Sequence, residues 1–391
     1  MQPYLVEHIR RTTASGELRD SYRCLAVAEN KLMWDLLDEQ ANVVRNVGPA
    51  AFGYAEHWGS QRLRSAISDF GKARLWRRRI DPDSMVVMAG AGASLEALFN
   101  AVCEPGEGVL VPTPSYSGYW LDLETRIGVG VVQVPTSPGE SWRLTIADLE
   151  AALDAHDGAV AAILLTTPSN PTGLTIGGQD LREITAWARS HGLHVVVNEL
   201  YALSTFDPDR FESAATILDA PSEDVHLVWG FSKDFSSSGL RCGVVATANE
   251  SVIASMRQHA MFSVVSGDTQ HLLTTMLEDA DWLDRYLTTM RGRLHAAYRA
   301  SIDVVSSHGF GYTPADGGLF VFADLRSALR EPTWEGEDAM WWRIIDETGV
   351  NLTPGSACRS PEPGFMRICH ATEPTDRLID ALDRALSVVD R

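Results

Sequence analysis

Lys233 is the residue of this sequence with the clearest chemical potential. It follows the apolar run Val225–Trp229 and is one of only three lysines, with Lys31 and Lys72, among 33 basic residues. A lysine in a cleft has a depressed pKa and can form a Schiff base with an aldehyde, whereas most lysines are solvated surface residues. Arg241 stands eight residues further on and offers a planar donor fork for a phosphate. The pair therefore suits a phosphorylated aldehyde.

The glycine-rich segment Gly90–Ser94 could hold that phosphate. It follows the apolar run Met85–Met88 and opens a helical pattern, so backbone N–H groups and a helix N-terminus would face an anion. A dinucleotide-binding loop uses the same device, but Leu95 stands where its third glycine is expected. A tight turn without a ligand is the other interpretation of this segment taken alone.

Two further segments place polar side chains at the ends of apolar runs. Asn170 lies in a turn with proline and glycine after the run Ala159–Leu165, and Asn198 and Tyr201 follow another such run. In open α/β sheets, ligands bind at the carboxyl ends of the strands. We therefore expect these side chains to meet Lys233 in one crevice, although each segment alone could be an ordinary surface turn.

The elements that would position these residues form a repeated strand–helix pattern. Apolar runs rich in valine and isoleucine are typical of strands buried on both faces. They are Met85–Met88, Val109–Val111, Val129–Val134, Ala159–Leu165, Val195–Val197, Val225–Trp229 and Gly243–Ala246. Between them, Ser60–Leu75 and Asp180–His191 have helical periodicity, with Asp180 and Gly192 as the expected start and stop of the second helix. The pattern predicts an α/β fold with a seven-stranded, mainly parallel sheet and helices on both faces.

The rhythm of the sequence changes after about residue 266. A helical pattern runs from Thr269 to Ser306, the run Leu319–Ala323 is typical of a strand, and a last helix is expected over Pro374–Val389. The chain is also too long for one ordinary core. We expect a large α/β domain of residues 46–280 and a smaller α+β domain built from residues 1–45 and 281–391.

The composition restricts the class of protein. The formal net charge of −19 repels phosphate backbones, so we expect no nucleic-acid partner. No apolar run reaches the roughly 18 residues of a membrane span, and the start is unlike a signal peptide, so we expect no membrane association and a cytoplasmic location. The five cysteines are scattered without metal-ligand spacing, which indicates reduced thiols and no metal site.

Taken together, the segments resemble the class I and II aminotransferase-like enzymes of fold type I, which bind pyridoxal phosphate (PLP). The resemblance covers nearly the whole chain, and within that group the sequence is most similar to aminocyclopropane-carboxylate synthases. The matching stretches are Leu25–Leu32, Val111–Tyr116, Gly318–Phe320, Pro354–Cys358 and Glu362–Cys369. The resemblance implies the PLP-dependent transferase fold and a homodimer with its active sites at the interface.

The resemblance also implies which residues form the site. The catalytic residues would be Lys233 and Tyr201. The cofactor-binding residues would be Gly90, Ala91, Gly92, Ala93, Tyr116, Asn170, Asn198, Tyr201, Ser232, Lys233 and Arg241. The substrate-binding residues would be Glu29, Tyr54, His57 and Arg367.

Within that set, the resemblance assigns particular contacts. Tyr116 would stack on the pyridine ring, and Asn170 and Tyr201 would hold the ring hydroxyl. The backbone of residues 91–93, with Ser232 and Arg241, would hold the phosphate. Lys233 would carry the cofactor and act as the base at the substrate Cα, and Arg367 would clamp the substrate carboxylate through two parallel hydrogen bonds. Glu29 would lie near a positively charged sulfur, which suggests S-adenosylmethionine as substrate.

Four positions depart from the family pattern. Asn198 replaces the aspartate that pairs with the pyridinium nitrogen, and an amide cannot supply that charge. Gly230 stands where a phosphate-binding serine is usual, and Leu121 replaces an arginine. His57 takes the place of a tyrosine lent across the dimer interface, although Tyr54 lies close by. The phosphate grip and the substrate pocket are therefore altered.

Several functions remain open from the sequence. The first is γ-elimination of the sulfur group from S-adenosylmethionine or a related amino acid, followed by ring closure or, as we favour, capture of a vinylglycine-type electrophile by an acceptor. Similar bacterial enzymes include one that builds a ring onto a nicotinamide nucleotide. The alternatives are an aminotransferase, a catalytically impaired PLP-binding partner protein, a ligand-sensing regulator and a nicotinamide-dependent oxidoreductase.

Overall fold

The structure is a computed structural model that describes residues 2–12, 21–44 and 47–389. Its helices are α1 Pro3–Arg11, α2 Trp34–Val44, α3 Gln61–Phe70, α4 Ala91–Val102, α5 Tyr119–Glu124, α6 Ile146–Asp154, α7 Gly178–Ser190, α8 Ala214–Ile217, α9 Phe231–Asp234, α10 Glu250–His259, α11 Gly267–Glu278, α12 Ala280–Ser307, α13 Trp334–Thr348 and α14 Thr375–Ser387. Its strands are β1 Arg23–Cys24, β2 Met85–Met88, β3 Gly108–Thr113, β4 Gly130–Pro135, β5 Val160–Thr166, β6 His194–Asn198, β7 Val225–Gly230, β8 Gly243–Ala246, β9 Gly311–Thr313, β10 Phe320–Asp324, β11 Val350–Asn351, β12 Thr353–Pro354 and β13 Phe365–Cys369.

The central sheet has seven strands in the order β2-β8-β7-β6-β5-β3-β4. The pairs β3/β4, β3/β5, β5/β6 and β6/β7 are parallel, and β8 runs antiparallel to both of its neighbours. Each predicted apolar run overlaps one of these strands, so the expected seven-stranded, mainly parallel sheet is confirmed. The carboxyl ends of β2, β3, β5, β6 and β7 lie at one edge, and that edge carries the candidate site.

The central strands of the sheet are mostly apolar because both faces of the sheet are covered. Successive side chains of a strand point to opposite faces. On β6, Val195 and Val197 join one core cluster and Val196 joins another, and all three are fully buried. Burial of such side chains contributes roughly 1.5–3 kcal/mol each to folding.

Two helical predictions need correction. The helix expected to start at Asp180 begins at Gly178, with Gly177 as its N-cap. Asp180 therefore lies in the first turn, and its Oδ1 pairs with the Arg143 Nη2 at 2.6 Å and does not cap the helix. The single helix expected over residues 269–306 is two helices, α11 and α12. The break is at Asp279, whose side chain accepts a hydrogen bond from the backbone N–H of Trp282 and caps α12.

A second, antiparallel sheet has the order β12-β13-β10-β9, and it packs with the last helices in a separate core cluster. Strand β1 pairs in parallel with β11, which ties the N-terminal segment to this part of the molecule. The boundary expected between residues 45 and 46 lies outside the described residues, and the two-domain division stays a prediction. Within the part of the chain that the structure describes, no helix has the length and apolarity that crossing a membrane requires.

Candidate active site

A cavity of about 180 Å³ lies at the carboxyl edge of the central sheet, and we call it the lysine cavity. Nine of the eleven predicted cofactor-binding residues line it: Ala91, Gly92, Tyr116, Asn170, Asn198, Tyr201, Ser232, Lys233 and Arg241. Gly90 is adjacent as the N-cap of α4, and Ala93 instead lines a separate cavity of about 170 Å³. Six lining residues carried no prediction as ligands: Leu95, Tyr119, Asp122, Thr166, Leu200 and Ser238.

Lys233 enters this cavity from the short helix α9, which continues β7. Its Nζ donates a hydrogen bond to the backbone carbonyl of Ala28 at 2.5 Å. Burial, together with the guanidinium groups of Arg367 and Arg241, lowers the pKa of Lys233 to about 8. A substantial fraction of the amine is therefore neutral and nucleophilic near neutral pH, as attack on an aldehyde requires.

An anion cradle lies at the start of α4. Gly90 has φ of +90°, a conformation that favours glycine, and a Cβ there would overlap the guanidinium group of Arg241. The first N–H groups of a helix have no intrahelical partner, so those of Ala91 and Gly92 are available to an anion. Ser232 lines the same cavity. Arginine, serine and a helix N-terminus around a close-fitting glycine match a phosphate monoester.

Asp122 is an unexpected acidic group in this cradle. A Cβ built on Gly92 would lie 3.2 Å from the Asp122 Oδ1, so the carboxyl group adjoins the N-terminus of α4. Burial and the nearby charge of Glu96 raise the pKa of Asp122 to about 6. Its negative charge at neutral pH opposes part of the positive potential of Arg241.

A buried hydrogen-bond chain connects the cavity to β13. Arg367 donates from Nη1 to the Asn170 Oδ1 at 2.8 Å, and Asn170 donates from Nδ2 to the Tyr201 Oη at 3.2 Å. The second arm of Arg367 donates from Nη2 to the carbonyl of Ala26 at 2.6 Å, and its Nε has no hydrogen-bond partner among the described residues. Burial raises the pKa of Tyr201, which keeps the phenol protonated.

Glu29 lies beside the lysine cavity but is not one of the residues that line it. Its Oε1 accepts a hydrogen bond from the cavity-lining Ser238 at 3.1 Å, and its Oε2 lies 3.3 Å from the Nζ of Lys31. The carboxylate is close enough to Lys233 to favour the protonated amine. It places a negative charge, 37% exposed, at the margin of the site.

Tyr54 and His57 are not brought to the lysine cavity within one chain. They line a different cavity of about 760 Å³, formed by residues 48–62 and 261–274. The Tyr54 side chain is fully exposed, and Phe52 beside it is 83% exposed. Their predicted contact with substrate therefore requires a second copy of the chain.

The structure gives a physical reason for one departure from the family pattern. A Cβ on Gly230 would lie 2.9 Å from the carbonyl oxygen of Cys242 and 3.1 Å from the Cα of Gly243. A serine has no room there, which leaves Ser232 and Arg241 among the polar side chains of this region that line the cavity. Leu121, which stands in the place of an arginine, is 59% exposed on α5.

Asn198 has partners that its sequence position did not reveal. Its Nδ2 donates to the Tyr119 Oη at 2.8 Å, and the Tyr119 hydroxyl lies 2.6 Å from the Thr166 Oγ1. Tyr119 also packs edge-on against Tyr116, with ring centroids 5.3 Å apart. The available signal was that Tyr119 follows Tyr116 by three residues, as expected for neighbours at the start of a helix.

No metal centre accompanies these groups. Within residues 2–12, 21–44 and 47–389, no cluster of three or more histidine, cysteine, aspartate or glutamate side chains could hold a metal ion. All five cysteines are buried and none forms a disulfide.

Comparison with known proteins places these features in a family. The sequence profile described as "Aminotransferase class I and II" matches residues 23–384. The 1-aminocyclopropane-1-carboxylate synthase 6 of Arabidopsis thaliana is 31% identical over 378 residues, covering 92% of this chain and 76% of that protein. The 1-aminocyclopropane-1-carboxylate synthase 3 of Oryza sativa subsp. japonica is 33% identical over 386 residues, covering 92% and 85%.

Solved structures agree on the fold. An aromatic aminotransferase from Pyrococcus horikoshii OT3 superimposes with a TM-score of 0.83 at 24% identity, covering 95% of this chain and 96% of that one. An aspartate aminotransferase from Thermus thermophilus with maleate gives 0.81 at 20% identity, covering 94% and 92%. At such identities the likeness establishes the architecture and leaves the reaction to the site residues.

Proposed function

Because the chain belongs to the class I and II aminotransferase family and is a PLP-dependent enzyme of fold type I, we propose that it removes the sulfur group from S-adenosylmethionine or a related γ-substituted amino acid. The curated relatives at 31–33% identity are aminocyclopropane-carboxylate synthases by name, which supports this reaction class. The observation that carries the proposal is the Glu29 carboxylate beside Lys233, where a sulfonium cation would be stabilised.

The residues of the lysine cavity fit PLP. Lys233 would hold its aldehyde carbon, and the cradle of Gly90, α4 and Arg241 would hold its phosphate. Tyr116 would cover the ring, and Asn170 with Tyr201 would hold the ring hydroxyl. When bound, PLP supplies an electron sink that makes the α-hydrogen of an attached amino acid acidic.

Three residues of the chain would act on the substrate, each at a different group. Arg367 binds the α-carboxylate, with Asn170 fixing the guanidinium plane. With the cofactor bound, the Lys233 Nζ would take the proton from Cα, a task for which its lowered pKa of about 8 is suited. Glu29 lies at the margin where the positively charged sulfur would sit. The bond between Cγ and sulfur would then break, and methylthioadenosine would leave with the electron pair. Loss of a proton from Cβ would supply the electrons for the Cβ–Cγ double bond of the vinylglycine-type fragment.

The fate of the remaining four-carbon fragment is set by the altered pocket. Asn198 would weaken the electron sink, and His57 would bring a different group than the synthases' tyrosine across the proposed dimer interface. We therefore favour capture of the fragment by an acceptor in a specialised biosynthetic pathway over closure to cyclopropane. A nicotinamide nucleotide is one acceptor class to include in assays.

The proposal is tested by incubating the PLP-loaded protein with S-adenosylmethionine, with and without candidate acceptors, and analysing products by mass spectrometry. We expect release of methylthioadenosine and a four-carbon adduct that depends on the acceptor. No methylthioadenosine from protein with confirmed bound PLP would overturn the proposal. Stoichiometric conversion of PLP to its amine form by an amino acid would instead indicate an aminotransferase. If neither methylthioadenosine nor the amine form of PLP is produced, the result would indicate a catalytically impaired partner protein.

Glu29→Gln should weaken the use of the sulfonium substrate without loss of PLP. Removing a partly exposed carboxylate near the sulfur should raise the KM for S-adenosylmethionine about tenfold, equivalent to about 1.4 kcal/mol. Steady-state kinetics with S-adenosylmethionine and with an uncharged γ-substituted amino acid would separate charge from shape. The matched control is Lys31→Gln, which removes the cation that competes for Glu29 and should leave or improve that KM. Equal losses for both substrates would contradict the role of the charge.

We further propose that the protein acts as a homodimer in which Tyr54 and His57 face the partner's lysine cavity. The wall of their cavity includes the exposed Phe52 and Met261, and the exposed Phe262 follows Met261 in the chain. Exposed large apolar side chains in one region are typical of an interaction site. We expect a dimer by light scattering, and a monomer with little activity after Phe262→Glu. A wild-type monomer that retains full activity would refute this arrangement.

A further inference from the structure

Asn198, Tyr119 and the half-buried Thr166 form a hydrogen-bond chain in the wall of the lysine cavity. Asn198 and Tyr119 are 3% and 2% exposed. The Asn198 Nδ2 donates to the Tyr119 Oη at 2.8 Å, and the Tyr119 Oη lies 2.6 Å from the Thr166 Oγ1. The three residues come from β6, α5 and β5, and all of them line the cavity.

The orientation of the Asn198 amide is determined by a backbone group. The N–H of Leu200 points at the Asn198 Oδ1, at 3.2 Å. A backbone N–H can only donate, so the amide face toward Leu200 must be its oxygen. Rotation of the amide by 180° would set two donors against each other and leave the Leu200 N–H without an acceptor.

Tyr119 holds the other half of the amide. Its hydroxyl oxygen accepts from the Asn198 Nδ2, and its own proton can then go to the Thr166 Oγ1. Burial raises the pKa of Tyr119, so the hydroxyl stays neutral and cannot act as an anionic partner. The amide nitrogen of Asn198 has two protons, and one of them remains free to donate after the hydrogen bond to Tyr119 is made.

From this arrangement we propose that Tyr119 is a positioning residue that presents Asn198 to the cofactor as a hydrogen-bond donor, so that the pyridine nitrogen of bound PLP stays unprotonated. A pyridine nitrogen can accept from an N–H only in its unprotonated form. The inference rests on the proposed function, because it requires PLP in the lysine cavity.

The consequence is a preference among reactions. An unprotonated ring withdraws less electron density from Cα than a pyridinium does. Such a site is poorly suited to transamination, which relies on a strong electron sink. It is better matched to a substrate with its own positively charged leaving group, whose departure supplies part of the driving force. The Asn198–Tyr119 pair would thus determine reaction specificity.

The test is nitrogen NMR of protein loaded with PLP labelled with ¹⁵N in the ring, recorded from pH 6 to pH 9. We expect the unprotonated shift across this range for the wild type and a protonated shift at neutral pH for Asn198→Asp. Tyr119→Phe should release the amide and move the nitrogen signal or make it titrate within the range. The matched control Tyr312→Phe removes the hydroxyl of a tyrosine on β9 that does not line the lysine cavity, and it should leave the signal in place.

The outcomes separate this inference from the function on which it rests. A protonated nitrogen in the wild type, or a Tyr119→Phe signal identical to that of the wild type, would overturn the inference while PLP remains bound. Failure of the folded protein to bind PLP would overturn both. Visible absorption and circular dichroism of each variant establish cofactor loading and folding before the NMR shift is interpreted.

Discussion

Replacement of Lys233 by alanine should abolish covalent attachment of PLP and all turnover. The visible absorption band of the bound cofactor should be absent, and PLP should be removed by dialysis. Loss of proton transfer at Cα alone costs roughly 10²–10⁴-fold in rate, and loss of attachment adds to it. The fold should persist, because the Lys233 amine makes one hydrogen bond, to the carbonyl of Ala28.

Matched variants make this result specific. Lys31→Ala and Lys72→Ala remove the other two lysines, both exposed, and should keep the band. Lys233→Arg keeps a cation and similar length, but a guanidinium stays protonated and cannot attack the aldehyde. A visible band that survives dialysis of Lys233→Ala would mean that a different lysine holds the cofactor.

The lowered pKa of Lys233 predicts that uptake of PLP by the cofactor-free protein depends on pH. Only the neutral amine attacks an aldehyde, and the pKa of Lys233 is lowered to about 8 by burial and by Arg367 and Arg241. The rate at which the cofactor-free protein takes up PLP should therefore rise with pH and level off above about 8. A rate that continues to rise toward the ordinary lysine pKa near 10.4 would contradict a buried amine.

The strands could be predicted from the sequence because their burial leaves a strong pattern. On β7 every residue from Val225 to Gly230 is buried, which selects an apolar run interrupted only by His226. Helix ends were harder. An aspartate is favourable both as an N-cap and in the first turn, so Asp180 alone could not tell where α7 begins. Asp279 carried a capping signal that the continuous apolar periodicity around it concealed.

The site was predictable only where its residues follow strands. Lys233, Asn170 and Tyr201 each stand just after an apolar run, and parallel strands bring such positions to one edge. Tyr119 and Asp122 come from a helix, and their place beside the cavity depends on the strand order, which local sequence patterns do not specify. For that reason the partner of Asn198 was missed while Asn198 itself was expected.

Arg367→Lys should produce the second largest loss, confined to substrates with a free carboxylate. Lysine keeps the positive charge but cannot offer two parallel donors. It also cannot donate hydrogen bonds to Asn170 and to the Ala26 carbonyl at the same time, as Arg367 does. Charge-assisted hydrogen bonds contribute about 1.5–3 kcal/mol, so we expect KM for the amino acid to rise by roughly 10–150-fold. Steady-state kinetics on PLP-loaded protein would measure it.

The carboxylate itself provides the control. The methyl ester of the substrate lacks the group that Arg367 would bind, so wild type and Arg367→Lys should use it equally poorly. The band of bound PLP should be retained, because Arg367 does not line the lysine cavity in which Lys233 would hold the cofactor. If the variant lost as much activity toward the ester as toward the free acid, Arg367 would be acting on the shape of the site through Asn170 and Thr353, and the carboxylate would have to be bound elsewhere.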